Sequence, residues 1–397
     1  MGLVFAGMHP PVNLSELESL CRRQLRDARS IVVKIGTNVL ADAGGGLHEP
    51  TLRGLVGEIS ELVRAGRRML LVSSGAVASG MKVLGLRSRP EELAGVQAAA
   101  AIGQPALMGQ YIRTFGEHGV PVAQILVTRD DFEDRRRYLA IRKTLEAVHA
   151  FGALPIINEN DTISTAEIKF GDNDVLASLL AHAIRADVAL FLTGTEGLLD
   201  AAGATVPAVA DVREVVGLLK SSKSELGSGG MSSKLRWARA VSDAGDLSVI
   251  AGGRVPGVVH RVLEGCACGT VLIPRRLRVG GSKLNSRRRW IGLSARPVGE
   301  VVVDAGAARA LRVGRRSLLP VGVLRVEGGF RAGQVVRVVD EAGAELGRGV
   351  CVYDAEHARR LAGLRSEAIR GLLGPHAKTE LIHADSLVVE PDTVHSG

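Results

Sequence analysis

Cysteine is scarce in this 397-residue chain: Cys21, Cys266, Cys268 and Cys351 are all there are, and they are scattered. Cys266-x-Cys268 matches neither a redox C-x-x-C nor half of a zinc site, so the thiols read as reduced and structural. Long apolar runs are missing as well. With 46% hydrophobic and 23% charged residues the composition is globular, and no stretch approaches the roughly 20 apolar residues of a membrane span. Residues 1–10 carry an apolar patch without a basic lead-in or cleavage site. Residues 1–29 are therefore expected to be a poorly specified extension of a cytoplasmic protein. Also absent are a G-x-x-x-x-G-K-[ST] loop, a G-x-G-x-x-G turn after any strand, and a Ser-His or Cys-His pair placed for nucleophilic catalysis. His118, His149 and His182 sit in helical or turn contexts and read as solvated or structural. The formal net charge of +8 would suit nucleic acid, but much of the excess lies in arginine runs at 135–137 and 287–289. A basic balance equally suits an enzyme whose substrates are all anions.

What is present is alternation. Apolar runs at 31–34, 68–72, 122–127, 154–157, 188–193, 247–251 and 270–273 read as strands. Helical patterns at 51–65, 90–115, 135–150, 174–186 and 234–244 lie between them. This predicts an α/β fold with a mostly parallel sheet sandwiched by helices, and the continuous apolar strands fit burial from both sides. The chain is too long for one ordinary core. A basic stretch at 275–289, with Gly280, Gly281 and Ser282 in its middle, marks a boundary. Beyond it, runs at 299–304, 324–326, 334–339 and 347–353 between glycine turns predict a small β-rich barrel, followed by helix at 357–373 and a frayed tail after Val389. The expected organisation is an extension at 1–29, a catalytic domain at 30–281, a basic linker at 282–294, a small domain at 295–375 and a tail at 376–397.

Four motifs carry chemistry. Lys34 ends a buried strand just before Gly36-Thr37-Asn38; a lysine there is costly unless an anion meets it, and glycine lets backbone N–H groups approach a phosphate. Ser73-Ser74-Gly75 repeats the arrangement after the next strand, although a serine there is commonly just a helix cap. Residues 227–234, Gly-Ser-Gly-Gly-Met-Ser-Ser-Lys, open a helix with a nest of donors and one formal charge, Lys234. Asn158-Glu159-Asn160-Asp161 and Gly171-Asp172-Asn173-Asp174 gather acids and carboxamides at a strand's carboxyl end, where open α/β sheets bind ligands. Two lysines, glycine-rich turns and an acid-amide cluster imply phosphoryl transfer managed by positioning and charge neutralisation. A carboxylate acceptor needs no general base, which fits the lack of a placed histidine.

Together VVKIGTNVL at 32–40, SSGAVASG at 73–80, TRDDFEDRRRYLAIRKTL at 128–145, INENDTISTAEIKFGDND at 157–174 and GSGGMSSK at 227–234 resemble the amino acid kinase family. The likeness is strongest to members that phosphorylate the side-chain carboxylate of L-glutamate with ATP, opening proline biosynthesis. By that resemblance Lys34 and Lys234 neutralise the transferring phosphoryl group. Gly36, Thr193 and Gly194, with the turn Ser228, Gly229, Gly230, Met231, Ser232 and Ser233, hold the nucleotide. Ser74, Asp161, Asn173 and Asn158 match substrate positions, with Asp161 pairing the ammonium and Ser74 and the asparagine amide donating to carboxylate oxygens. Asp174 or Asp172 would hold Mg²⁺ or orient Lys234, and no residue is assigned as a dedicated metal ligand. The family pattern has Thr-Asp where this chain has Thr193-Gly194, which leaves two alternatives: Glu196 substitutes from two residues on, or backbone contacts hold ATP with weaker affinity. The resemblance further implies proline as feedback inhibitor, a homo-oligomer (dimer or tetramer) and a glutamyl phosphate reductase acting next. Residues from about 295 to 373 resemble a PUA domain, known from RNA-modifying enzymes. With little more than Phe330 and Tyr353 for base stacking, a structural or regulatory role is favoured there over RNA binding. Kinases for aspartate, acetylglutamate, carbamate or UMP are the alternatives within the class, and an RNA-binding regulator is the alternative outside it.

Overall fold

The computed structural model describes residues 13–42, 47–163, 173–211, 230–278, 283–313 and 316–389. The chain divides into two units, Met1–Asp131 with Arg136–Lys283, and Leu284–Gly397 with Phe132–Arg135.

The first unit opens with α1 (Leu14–Arg26), where the sequence reading had only an extension. Asn13 caps it by accepting the Ser15 N–H, and Cys21 and Leu25 are buried. An eight-stranded sheet follows. Its strands are β1 (Ser30–Ile35), β2 (Arg68–Ser73), β3 (Val122–Val127), β4 (Leu154–Glu159), β5 (Val188–Thr193), β6 (Ala208–Val209), β7 (Leu247–Gly252) and β8 (Thr270–Leu272). They lie in the order β3-β4-β2-β1-β5-β7-β8-β6, parallel except for the β7–β8 pair. Every residue of β1, β4, β5 and β7 is buried, as their apolar runs required, with polar Lys34, Asn158, Glu159 and Thr193 falling at or near the carboxyl ends.

The helices between strands are α2 (Glu49–Arg64), α3 (Ala76–Leu84), α4 (Leu93–Gly116), α5 (Arg135–Ala150), α6 (Asn173–Ile184), α7 (Met231–Asp243) and α8 (Val258–Leu263). The expected mostly parallel sheet with helical cover is therefore present. α3 and α4 approach backbone to backbone through two glycines. A Cβ on Gly80 would fall 1.7 Å from Ala99 O, and one on Gly103 would fall 1.9 Å from Ala76 O. Only glycine permits that contact, and it seats the buried polar face of α4 behind β2 and β4. Cys21 lies in the core, where burial pushes its thiol up to about 11. His149 Nε2 lies 2.8 Å from Met69 O, and burial lowers its pKa, which marks it as a structural histidine.

The second unit is a five-stranded sheet ordered β10-β9-β11-β12-β13. Its strands are β9 (Gly299–Val303), β10 (Val323–Gly328), β11 (Val335–Val339), β12 (Glu345–Cys351) and β13 (Ile382–Val389). The single helix expected at 357–373 is two, Ala355–Leu361 and Ser366–Leu373, because Gly363 between them turns left-handed at φ 78°. β13, paired antiparallel with β12, falls where the sequence reading had a tail. Within the basic stretch Arg287 is exposed, but Arg289 is fully buried and donates to Leu284 O, while Arg288 Nη2 donates to Ala384 O and Leu387 O.

Among the described residues, no helix is long and apolar enough to cross a membrane.

Candidate active site

The carboxyl ends of β1, β2, β4 and β5 and the amino ends of α6 and α7 carry the predicted residues. Lys34, 4% exposed, is the penultimate residue of β1, beside the first turn of α6. There Asp174, with no solvent exposure, sets one carboxylate oxygen 2.6 Å from Lys34 Nζ and the other 3.2 Å from Lys234 Nζ. An acid in the first turn of a helix is favoured by the helix's positive end. Two ammonium groups converging on one buried carboxylate leave a net positive charge, held in place by a group that cannot relax into solvent. That is a preorganised receptor for an anion. Asp174 is thus placed to orient both lysines; Asp172 lies outside the described residues.

α7 begins at Met231 after Gly230, which makes no side-chain cap bond. The Ser233 and Lys234 N–H groups both donate to Gly230 O, at 3.0 and 3.3 Å, so the helix opens on a backbone cap, with Met231 and Ser232 in its positive first turn. Ser228 and Gly229 lie outside the described residues. Gly36 differs in detail from expectation, since its own N–H donates to Leu192 O at 3.3 Å. A Cβ there would sit 3.3 Å from Leu192 O, a tight approach to the β5 backbone, and 3.6 Å from Lys34 Nζ, an ordinary contact. Thr193 closes β5 with its carbonyl bonded to Gly253 N–H at 2.8 Å. Gly194 follows on the surface, where an added Cβ would meet only Asn38 Cβ, at 3.9 Å. Glu196 is also exposed and lines a cavity of about 290 Å³ with Arg22, Gly252, Val255, Arg261 and Cys268.

The second half of the site is an amide cluster. Asn173 Nδ2 lies 2.5 Å from Ser73 O, 3.0 Å from Ser74 Oγ and 2.8 Å from Asn158 Oδ1. Ser74 is not a helix cap: Gly75, at φ 114°, occupies the N-cap of α3. Behind the cluster Asn158 Nδ2 donates to Gln104 Oε1 at 2.8 Å, and Ser73 Oγ lies 2.8 Å from the Tyr111 hydroxyl. Gln104 and Tyr111 come from the same face of α4, seven residues apart. Sequence reading missed both, because a lone glutamine and a lone tyrosine in an apolar helix carry no motif. Asp161 stands half-buried in the turn after β4. Burial raises its pKa, and the nearby Arg89 charge partly offsets this.

Asn158, Asn173 and Ser74 are therefore brought together, and Lys34, Asp174 and Lys234 form a second group, joined to the first through the adjacent residues Asn173 and Asp174. Among the described residues, no group of three or more His, Cys, Asp or Glu side chains could cage a metal, and both Asp174 oxygens face ammonium groups. The arrangement can neutralise an anion at one end and read donors and acceptors of a small polar molecule at the other.

Comparison with known proteins follows the same division. The amino acid kinase family matches residues 29–251, and the PUA domain matches residues 299–373. The glutamate 5-kinase of Myxococcus xanthus is 44% identical over 375 residues, covering 93% of this chain and 98% of that protein. The glutamate 5-kinase of Methylococcus capsulatus is 44% identical over 378 residues, covering 93% of this chain and 99% of that protein. That of Gloeobacter violaceus is 44% identical over 367 residues, covering 90% of this chain and 99% of that protein.

Proposed function

The chain belongs to the amino acid kinase family, and from that premise we propose that it transfers the γ-phosphoryl group of ATP to the side-chain carboxylate of L-glutamate. The products are ADP and L-glutamyl 5-phosphate, in the first step of proline biosynthesis. The observation that carries the reading is the buried Asp174 carboxylate holding Lys34 and Lys234 at 2.6 and 3.2 Å, one residue from the amide cluster. The acceptor carboxylate is ionised at neutral pH, so in-line attack needs no protein base, and the work left to the enzyme is charge neutralisation and alignment. Lys34 and Lys234 meet the phosphoryl oxygens, α7's first turn meets the remaining phosphates, and Ser74, Asn158, Asp161 and Asn173 hold the amino acid.

Mg²⁺ belongs to the reading as a companion of ATP. With no protein cage among the described residues, it would enter bound to the phosphates, as this ion commonly does, and would neutralise their charge. Proline as feedback inhibitor, a dimeric or tetrameric assembly, a cytoplasmic setting and a glutamyl phosphate reductase as consumer of the unstable acyl phosphate complete the proposal.

A hydroxylamine trap for acyl phosphate tests it. Purified protein with ATP and glutamate should give hydroxamate, and Lys34→Ala and Lys234→Ala should each lower kcat by on the order of a hundredfold or more while glutamate KM changes little. A trap that stays empty with glutamate, or fills better with aspartate, acetylglutamate, carbamate or UMP, overturns the assignment.

A further inference from the structure

The amides of the substrate cluster are oriented by groups whose hydrogen-bonding sense cannot change. Ser73 O is a carbonyl and can only accept, so the Asn173 atom 2.5 Å from it is the nitrogen. The Glu159 backbone N–H can only donate, so the Asn158 atom 2.9 Å from it is the oxygen. That same oxygen accepts from Asn173 Nδ2 at 2.8 Å. With its oxygen so fixed, Asn158 turns its nitrogen toward α4, and the group it meets there at 2.8 Å must accept. That group is Gln104 Oε1, 8% exposed. A glutamine turned the other way would set two NH₂ groups against each other.

From this chain of constraints we infer that Gln104 is a positioning residue for the amino-acid substrate, holding Asn158 from behind so that it and the backbone groups together keep the Asn173 amide in place with its oxygen toward the ligand. Both hydrogens of Asn173 Nδ2 are engaged by Ser73 O, Asn158 Oδ1 and Ser74 Oγ, so the atom left for the ligand is the oxygen. Asn173 presents an acceptor, suited to a substrate ammonium. Ser74, already accepting from Asn173, keeps its own hydroxyl hydrogen to donate to a carboxylate. The polarity is the reverse of an asparagine amide donating to the carboxylate, the role its residue type had suggested from sequence. Because buried amides in series act as one network, removing the acceptor at position 104 leaves the Asn158 nitrogen buried without that partner and loosens its hold on Asn173.

This rests on the site being one for glutamate, and the experiment separates the two. Steady-state hydroxamate kinetics are measured on the parent, on Gln104→Met, which keeps the shape without an acceptor, and on Gln104→Glu, which keeps an oxygen and removes the nitrogen. Gln104→Met should raise glutamate KM about tenfold or more with ATP KM within about twofold, and Gln104→Glu should restore glutamate KM to near the parent's. Glutamate KM unchanged in Gln104→Met, both KM values rising together, or a Gln104→Glu variant no better than the methionine one overturns the inference. Should Gln104→Met fail to fold, Gln104→Glu decides alone: a near-parent glutamate KM supports the acceptor role and a tenfold loss overturns it. A parent without glutamate-dependent hydroxamate refutes the glutamate assignment instead.

Discussion

Asp161 can pair an ammonium only as a carboxylate, and its surroundings make that harder than usual. Burial raises its pKa and Arg89 pulls it partway down. Glutamate binding is therefore expected in full above this raised pKa and lost as pH falls through it, at a higher pH than an exposed aspartate would give. Arg89→Gln removes the lowering charge, so the acid limb of kcat/KM for glutamate should move to higher pH at saturating ATP. A limb that stays put would show that some other group, the substrate's own carboxyl included, governs it. Gly194 poses the complementary question on the nucleotide side. Space and backbone allow a side chain there, with Asn38 Cβ 3.9 Å from a built Cβ and no left-handed φ. If Glu196 supplies the acid that position 194 lacks, Glu196→Ala should raise ATP KM by about threefold to tenfold in the parent and far less in a Gly194→Asp background. Equal effects in both backgrounds would mean that Glu196 takes no part in holding ATP.

At the scale of elements, α1 is fastened chiefly by Arg22, with Arg26 donating to Glu264 O at 2.7 Å and Arg276 to Gln24 Oε1. Arg22, 8% exposed, donates to the carbonyls of Cys266, Cys268, Pro207 and Gly269 and pairs with Glu18 at 2.7 Å. Arg22→Ala leaves buried carbonyls without that donor and should destabilise the first unit by about 2–3 kcal/mol, visible as a lower Tm; a Tm within a degree of the parent's would mean that water replaces the guanidinium without loss. Leu17, Cys21 and Leu25 do recur every four residues, so α1 was present in the pattern, but its charged residues masked it beside the apolar strands. The sheet was readable because strands buried on both faces carry near-continuous apolar runs. β13 was not, since its burial alternates irregularly and the pairing slips between Gly349 and Cys351. Among site residues, Lys34, Ser74, Asn158, Asn173, Asp174 and Lys234 could be found because unusual polar side chains end apolar strands or open helices. Gln104 and Tyr111 could not, because what assigns them is the contact of α4 with α3 at Gly80 and Gly103, a relation between helices that no local spacing encodes.

For the whole molecule, the open question is whether a basic chain carrying a PUA domain at residues 299–373 also binds RNA. Recognition of single-stranded or looped RNA relies on aromatic faces open to bases and on cations free to meet phosphates. Phe330 is 5% exposed and packs so closely over the β9 backbone that a Cβ on Gly299 would fall 2.4 Å from its ring. The Tyr353 hydroxyl donates to Lys378 O at 2.5 Å, which ties its ring to the domain's own chain. Arg288 and Arg289 donate to carbonyls of the second unit, so two cations of the most basic stretch serve its packing. The excess charge that remains can support only a diffuse attraction. In filter binding with structured RNA, the full chain should therefore bind no tighter than non-specific association, on the order of 10⁻⁴ to 10⁻⁶ M at physiological salt, and should lose retention steeply between about 50 and 200 mM salt. Nanomolar retention persisting at the higher salt, and lost when residues 295–397 are removed, would instead make the second unit an RNA reader attached to a kinase.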